Sequence, residues 1–457
     1  MSQNPAPIHL LPPNDELRTV LHNEVHARPA ARIRLPALIV YVAVLNADVT
    51  RAQECEHLRH LPGQQALTPE SLAGNFLRLR FEGYSVKWER HTEFTRYSIV
   101  QPLPPGALLG ATDPDLNANP AVPFEWLRNL PGRTVAAIQM AMVEGDITNE
   151  QVLMAQAQQW FGGSTVLASQ LGNRVMGAQS GSTSGVSSAG HSWAVTQFHI
   201  GGDGFERILV IAPPHTTQAR LGRISRRLLE VETYRLMALR GLPVAKELGP
   251  MLAQCEAALA DITAQLESKT LSDQALLDTM ISLAVKIERA TAAHVFRFSA
   301  TTAYSTLVQQ RIAELREKAI PGTEQIGTYL QHRLSPAMAT VAATAQRLAS
   351  LSERISRASA LLRTRVDIAT ELQNQQLLEK LTRGQELQLR LQATVEGLSI
   401  AAISYYVISL LLYGGKALKG AGVPINPEIA AGALVPLVLW AVWWGTRHIR
   451  NKVRADK

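Results

Sequence analysis

The chain has 457 residues, with Lys and Arg at 45 against Asp and Glu at 38, a formal net charge of +7, and only two cysteines. That length holds two or three domains and a sizeable core. Cys55 and Cys255 lie far apart without CxxC spacing, which excludes a disulfide framework and a zinc-finger site and fits a reducing compartment. The positive excess comes without an aromatic-interleaved basic patch, so it fits an anionic membrane surface and not a nucleic-acid partner.

Residues 1–13 read as a Pro-rich leader with no apolar h-region, so no secretory signal is expected. Asn14 is a fitting N-cap for a short helix bearing Leu17, Val20 and Leu21. It leads into Asn23-Glu24-Val25-His26-Ala27-Arg28-Pro29, where the proline ends any helix at or before Arg28. His22 and His26 stand four apart with Glu24 between them. Three readings are open: a metal pair, a clamp in which both histidines, Glu24 and Arg28 hold the leader to the sheet, and an anion or ligand pocket using His26 and Arg28. Glu24 is not placed as in HExxH and no third ligand is identifiable, so no metal is assigned.

Residues 37–46 form a β-branched run typical of a buried strand, and a helix over 49–61 follows. Residues 76–81, 84–91 and 94–100 alternate. Tyr84, Val86 and Trp88 share one face, and Ser85, Lys87 and Glu89 share the other. Gly83 and the 91–93 region mark turns, so the stretch predicts an antiparallel meander. Its polar side reads as a solvated sheet face. The alternative is an acid–base pair of His91 and Glu93 within Trp88-Glu89-Arg90-His91-Thr92-Glu93-Phe94. Residues 101–123 read as a loop, 134–143 as a strand, 149–161 as a helix, and 164–168, 193–200 and 205–212 as strands. The Gly/Ser-rich segment 177–190 lacks GxxxxGK[ST] and reads as a mobile loop or hairpin tip, not a phosphate cradle. Residues 1–213 are thus expected to be a cytoplasmic α+β domain with a largely antiparallel sheet.

From Thr216 the apolar period becomes 3.6, with Leu221, Ile224, Leu228 and Val231 on one face. Helices are expected over 217–240, 244–269 and 272–319. Residues 337–396 contain no proline and one glycine, Gly384, which predicts a helix of about 90 Å. Leu348, Leu351, Ile355, Ala358 and Leu362 alternate three and four like a coiled-coil seam, with a register slip near Arg365. This neck, 214–396, should run unbroken into the next segment, with the helices of 217–334 folded back on it as antiparallel coiled coils.

Residues 397–415 and 429–446 carry no charge. Roughly 20 apolar residues span a ~30 Å hydrocarbon core, so the pair predicts a two-span transmembrane hairpin over 397–446, followed by a basic tail, 447–457. Arg383 and Arg390 precede the first run, and Arg447, Arg450, Lys452, Arg454 and Lys457 follow the second, against Lys416 and Lys419 between them. That bias predicts both termini cytoplasmic at an inner membrane. Trp440, Trp443 and Trp444 suit the headgroup level. Ser399, Ala402, Tyr406, Ser409 and Tyr413 form a seam that either packs on the second helix or a neighbouring copy, or lines a pore. Neither run holds an ionisable carboxylate or base, which argues against a proton relay.

The motif at residues 23–29, Lys87 together with the Trp88-to-Phe94 stretch, and Thr364-Arg365-Val366-Asp367 followed by QLRLQATVEGLSIAAISYY (388–406) resemble a bacterial family of membrane-anchored proteins, a domain of unknown function, over nearly the whole chain. The resemblance implies a membrane anchor and supplies no catalytic residues. The body plan is also loosely similar to the pentameric CorA-type magnesium channels. Those carry Gly-Met-Asn at the outer end of the first span, where this chain has Tyr413-Gly414-Gly415. No nucleophile elbow, metal-ligand spacing or cofactor motif is legible. The reading is therefore a membrane-anchored, homo-oligomeric scaffold or regulator. An ion channel lined by Ser399, Tyr406 and Ser409, and an enzyme using the His26 or His91 region, are the alternatives.

Overall fold

The computed structural model describes residues 15–18, 31–172, 192–268, 272–421, 424 and 426–455. Strand β1 (Ala37–Leu45) is ALIVYVAVL, apolar throughout because both of its faces are covered. Leu38, Val40, Val42 and Val44 enter one core, and Ile39, Tyr41 and Ala43 enter the other. The remaining strands are β2 (Phe76–Arg80), β3 (Ser85–Arg90), β4 (Phe94–Pro102), β5 (Arg133–Glu144), β6 (Leu167–Leu171), β7 (Ser192–Ile200), β8 (Glu206–Ala212) and β9 (Glu317–Ala319). They form one sheet in the order β2-β3-β4-β1-β5-β8-β7-β6-β9. Among the described residues only β5 and β8 pair in parallel, so the α+β class with a largely antiparallel sheet holds.

The first face packs beneath helices α1 (Arg51–Arg59), α2 (Phe124–Arg128) and α3 (Glu150–Trp160). A capping box starts α1: the Gln53 N–H donates to the Thr50 hydroxyl oxygen, and the Thr50 N–H donates to the Gln53 carboxamide. Trp126 and Trp160 are buried with their indole N–H groups satisfied, donating to the carbonyls of His57 and Ala107 at 3.2 and 3.1 Å.

The second face packs beneath α4 (Gln218–Leu239), α6 (Asp273–Leu315) and α7 (Ile326–Gly420). The four apolar positions expected on α4, Leu221, Ile224, Leu228 and Val231, are all in this core. Helix α5 (Gly241–Ser268) is tied to α7 by Arg347, which grips Glu256 through two hydrogen bonds of 3.0 and 2.8 Å. The expected seam of α7 is buried at Leu348, Leu351, Ile355 and Leu362.

One helix ends earlier than its periodicity implies. The segment expected to stay helical to 319 stops at Leu315, Arg316 adopts a φ of 49°, and Glu317–Ala319 becomes the edge strand β9. Three residues carry no period to read. The Glu317 carboxylate then accepts the Gly327 N–H at 2.8 Å in the first turn of α7, where helix N–H groups lack internal partners.

By packing, the chain forms two compact units. One runs to Ala264 and includes Met280–Ser356; the other comprises Gln265–Thr279 and the chain from Arg357 onward. The sheet-bearing unit therefore extends past residue 213, because α4 and parts of α6 and α7 cover the sheet's second face. In the second unit Arg365 bonds the Leu266 carbonyl at 3.0 Å and pairs with Asp273 at 3.3 Å. Residues 367–395 are exposed without exception. The neck helix and the first apolar run are one helix, α7, and α8 (Pro427–Ala455) carries the second run. Both helices are long and apolar enough to cross a membrane. Their most apolar stretches are only 6% and 11% buried, whereas a core helix of a soluble protein would be mostly buried.

Candidate functional site

Pairing of β3 with β4 sets Glu89 opposite Arg96 and Lys87 opposite Ser98. Alternate residues of a strand share a face, so Ser85, Lys87 and Glu89 project together. This face is not solvated. Helix α4 lies over it, leaving Glu89 1% and Arg96 4% exposed. Alternation reveals that a face is polar; it does not reveal what covers it, and the cover here comes from a distant part of the chain.

The charges beneath α4 form a linked array. Glu89 binds Arg96 at 2.5 Å and Lys87 at 2.9 Å. Arg96 also reaches Glu230 of α4 at 3.4 Å. Glu230 in turn takes Arg311 of α6 at 2.5 Å and lies 3.7 Å from Arg226. Glu314 closes the array, with Arg311 at 2.8 Å and Arg227 at 3.1 Å. Beside it the Tyr41 and Thr233 hydroxyls share a hydrogen bond of 2.8 Å.

Burial pushes the Glu89 carboxyl up, but Arg96 and Lys87 outweigh it and bring the group down to about 2. Arg96 is held above its ordinary value: burial opposes its charge, and Glu89 overcomes that. Tyr41 is raised to about 12 by burial. These groups keep one protonation state at neutral pH, so the array is a fixed charge lattice and not an acid–base pair. Lys87 is lowered, by burial first and then by neighbouring Arg96 and Arg78 against the pull of Glu89. A small cavity of about 30 Å³ opens within the array, lined by Arg78, Lys87, Arg96 and Arg226 with Ser85, Ser98 and Ser225. Ala31 and Gly222 close one side, and no carboxylate lines it among the described residues. A larger cleft of about 750 Å³ between α6 and α7 includes Glu317, which is occupied with capping α7.

The sequence-derived candidates fall in several places. His22, Glu24, His26 and Arg28 lie outside the described residues, as does the Gly/Ser segment 177–190. The His91 ring stacks on Phe94 with centroids 4.6 Å apart, and Glu93 pairs with Arg297 of α6. Each is thus engaged at the β3–β4 turn. In the first apolar run Ser399, Ala402, Tyr406 and Tyr413 are exposed and Ser409 is half-buried. The inward stripe of that run instead carries Ser404, 2% exposed, and Gly415, which lies close to Pro427 at the start of α8. Arg96, Arg226, Glu230 and Arg311 were not singled out from the sequence. The available signal was Glu230 set among Leu228, Leu229 and Val231, a carboxylate on the apolar side of an amphipathic helix.

The charge-rich strands and the helix that enters the first apolar run both lie within residues 13–453, the span matched by the family described as protein of unknown function (DUF3422). The chain belongs to that family. No curated protein and no solved structure matches it. Within this DUF3422 chain no group of three or more His, Cys, Asp or Glu is placed to hold a metal ion among the described residues.

Apart from the charge array, two buried carboxylates, Glu206 of β8 and Glu232 of α4, are 5% and 2% exposed. Arg235 binds Glu232, with its Nε at 2.7 Å. Burial first, and the Glu232 charge second, raise the Glu206 carboxyl from 4.5 to about 9. A carboxyl raised on folding contributes stability below its unfolded pKa and loses it as pH climbs through the folded value. Glu206→Gln is therefore expected to change stability little at pH 4 and to raise it at pH 9 by more than about 1 kcal/mol. Denaturant unfolding at the two pH values checks this; equal effects at both would contradict a Glu206 carboxyl raised on folding.

Proposed function

We propose that this protein is a membrane-anchored scaffold or regulator that self-associates through α7. One observation carries the reading. Residues 367–395 are exposed, yet include Ile368, Leu372, Leu377, Leu378, Leu381 and Leu391. A helix gains most of its stability in water from packing an apolar face, and among the described residues nothing packs on such a face of 367–395.

Leu377, Leu381, Gly384, Gln388, Leu391, Val395 and Leu398 alternate by four and three, the spacing of a two-helix seam. Ala402 and Ser409 continue it into the first apolar run, where small residues favour close helix contact in lipid. Glu379, Lys380, Arg383, Glu386 and Arg390 supply both signs of charge along the helix, which suits pairing of like chains. A second copy entering the same bilayer offers the same seam at the same height, so it is the occupant we assign. The excess of Lys and Arg after the second run, five against two between the runs, supports a cytoplasmic C-terminus, and with two spans a cytoplasmic N-terminal side, at an inner membrane.

Light scattering on detergent-solubilised full-length protein, with the detergent contribution subtracted, is expected to return a dimer or larger assembly. Exchanging Leu377, Leu381 and Leu391 together for glutamine should shift the mass toward the monomer while the melting of the sheet-bearing unit is unchanged. A monomeric wild-type protein overturns the reading.

A further inference from the structure

We propose that the cavity beneath α4 binds a phosphate-type oxyanion, either free phosphate or the phosphoryl group of a small ligand whose remainder lies outside. The inference does not depend on self-association through α7, and its test is read from binding, not from mass.

Setting Arg78 aside, five cations (Lys87, Arg96, Arg226, Arg227 and Arg311) share three carboxylates, Glu89, Glu230 and Glu314. Buried charge is costly unless it is paired. Among the described residues the buried part of the array sets Lys87, Arg96 and Arg311 against Glu89 and Glu230, and Arg226, about a third exposed, adds a further positive charge at its edge. The carboxylates turn toward their own partners and leave the cavity wall to the cations.

Arg226 Nε is buried with no hydrogen-bond partner, and its nearest carboxylate oxygen, on Glu230, stands 3.7 Å away. Guanidinium groups recognise phosphate by charge-assisted hydrogen bonds, which are stronger than neutral ones. The Ser98 hydroxyl, on a residue 6% exposed, stands on the same wall.

A cavity of about 30 Å³ is roughly twice or more what one water requires, which admits a compact tetrahedral ion and excludes a whole metabolite. Cations converge from β2, β3, β4 and α4, a spread that surrounds a tetrahedral ion better than the flat face of a carboxylate. Lys87, crowded by burial and by its cationic neighbours, would regain a favourable field on binding.

The test is isothermal titration of full-length protein in a neutral detergent at low ionic strength, with inorganic phosphate and with a short-chain phosphatidic acid as separate probes. Saturable binding near millimolar or tighter is expected. Arg226→Gln should weaken it by about tenfold, with Arg226→Lys intermediate. Arg223→Gln, the same change at an exposed position on α4, should leave it intact. Arg226-dependent binding of inorganic phosphate assigns the free ion. Arg226-dependent binding of the lipid probe alone assigns a headgroup. No saturable heat with either probe, or equal loss in the Arg223 and Arg226 variants, overturns the proposal. A thermal melt of each variant separates lost binding from lost folding.

Discussion

Glu89→Ala is expected to destabilise the sheet-bearing unit by about 3–5 kcal/mol, the range for removing one partner of a buried ion pair. Glu89 is 1% exposed and bonds both Arg96 and Lys87. Its loss leaves two cations beneath α4 with Glu230 alone to answer Arg96, already shared with Arg311. The wild-type pH profile provides an independent check. Because the Glu89 carboxyl falls from 4.5 to about 2 on folding, its contribution is complete above the unfolded value and is lost as pH falls through about 2. That shift corresponds to about 3 kcal/mol, in line with the mutational figure. Denaturant unfolding of wild type and variant should therefore differ widely at pH 7 and converge toward pH 2. A difference under about 1 kcal/mol at pH 7 would mean that the array is far better hydrated than its burial implies.

Gly222→Ala is the second large effect, and its sign is the informative part. Alanine inside a helix ordinarily stabilises relative to glycine by up to about 1 kcal/mol. Here the added methyl would meet the Ala31 carbonyl oxygen at 1.6 Å and its carbon at 2.8 Å. Both are backbone atoms, so no side-chain rotation relieves the clash. The segment would have to lift from α4, giving up the Ile33 N–H bond to the Gln218 carbonyl and the burial of Ile33. We expect a loss at the upper end of the roughly 1–3 kcal/mol range for overpacked sites. Thermal melting checks it; a stabilised Gly222→Ala protein would show that residues 31–33 do not dock there. Since Ala31 and Gly222 also close the cationic cavity, the variant is expected to weaken phosphate binding as well.

Several features could be read from residue order because their causes are local. The run at 37–46 is apolar at successive positions, and such a strand must be covered on both sides, as β1 is. Leu221, Ile224, Leu228 and Val231 recur at helical spacing, and the face they define is the one α4 buries. The absence of proline from 337 to 396 and the charge-free run beyond it led to one uninterrupted helix, because helix continuation depends on near neighbours. The family motifs likewise sit where the match to DUF3422 runs.

The charge array was hidden for the opposite reason. Ser85, Lys87 and Glu89 alternate as any half-exposed strand does, and only tertiary packing set Glu230 and Arg311 over them. Strand β9 was equally hidden, since its pairing with β6 rests on long-range contact and not on a period of its own. Within the apolar hairpin, spacing identified a stripe of serines and tyrosines, while packing buried a different one, carrying Ser404 and Gly415. The sequence by itself determined most of the strands and helices, the two membrane-length apolar runs and the family, all of which follow from local periodicity, composition and motif. Tertiary structure alone decided which polar residues are buried and paired, because the free energy of a buried charge depends on partners that chain order does not reveal.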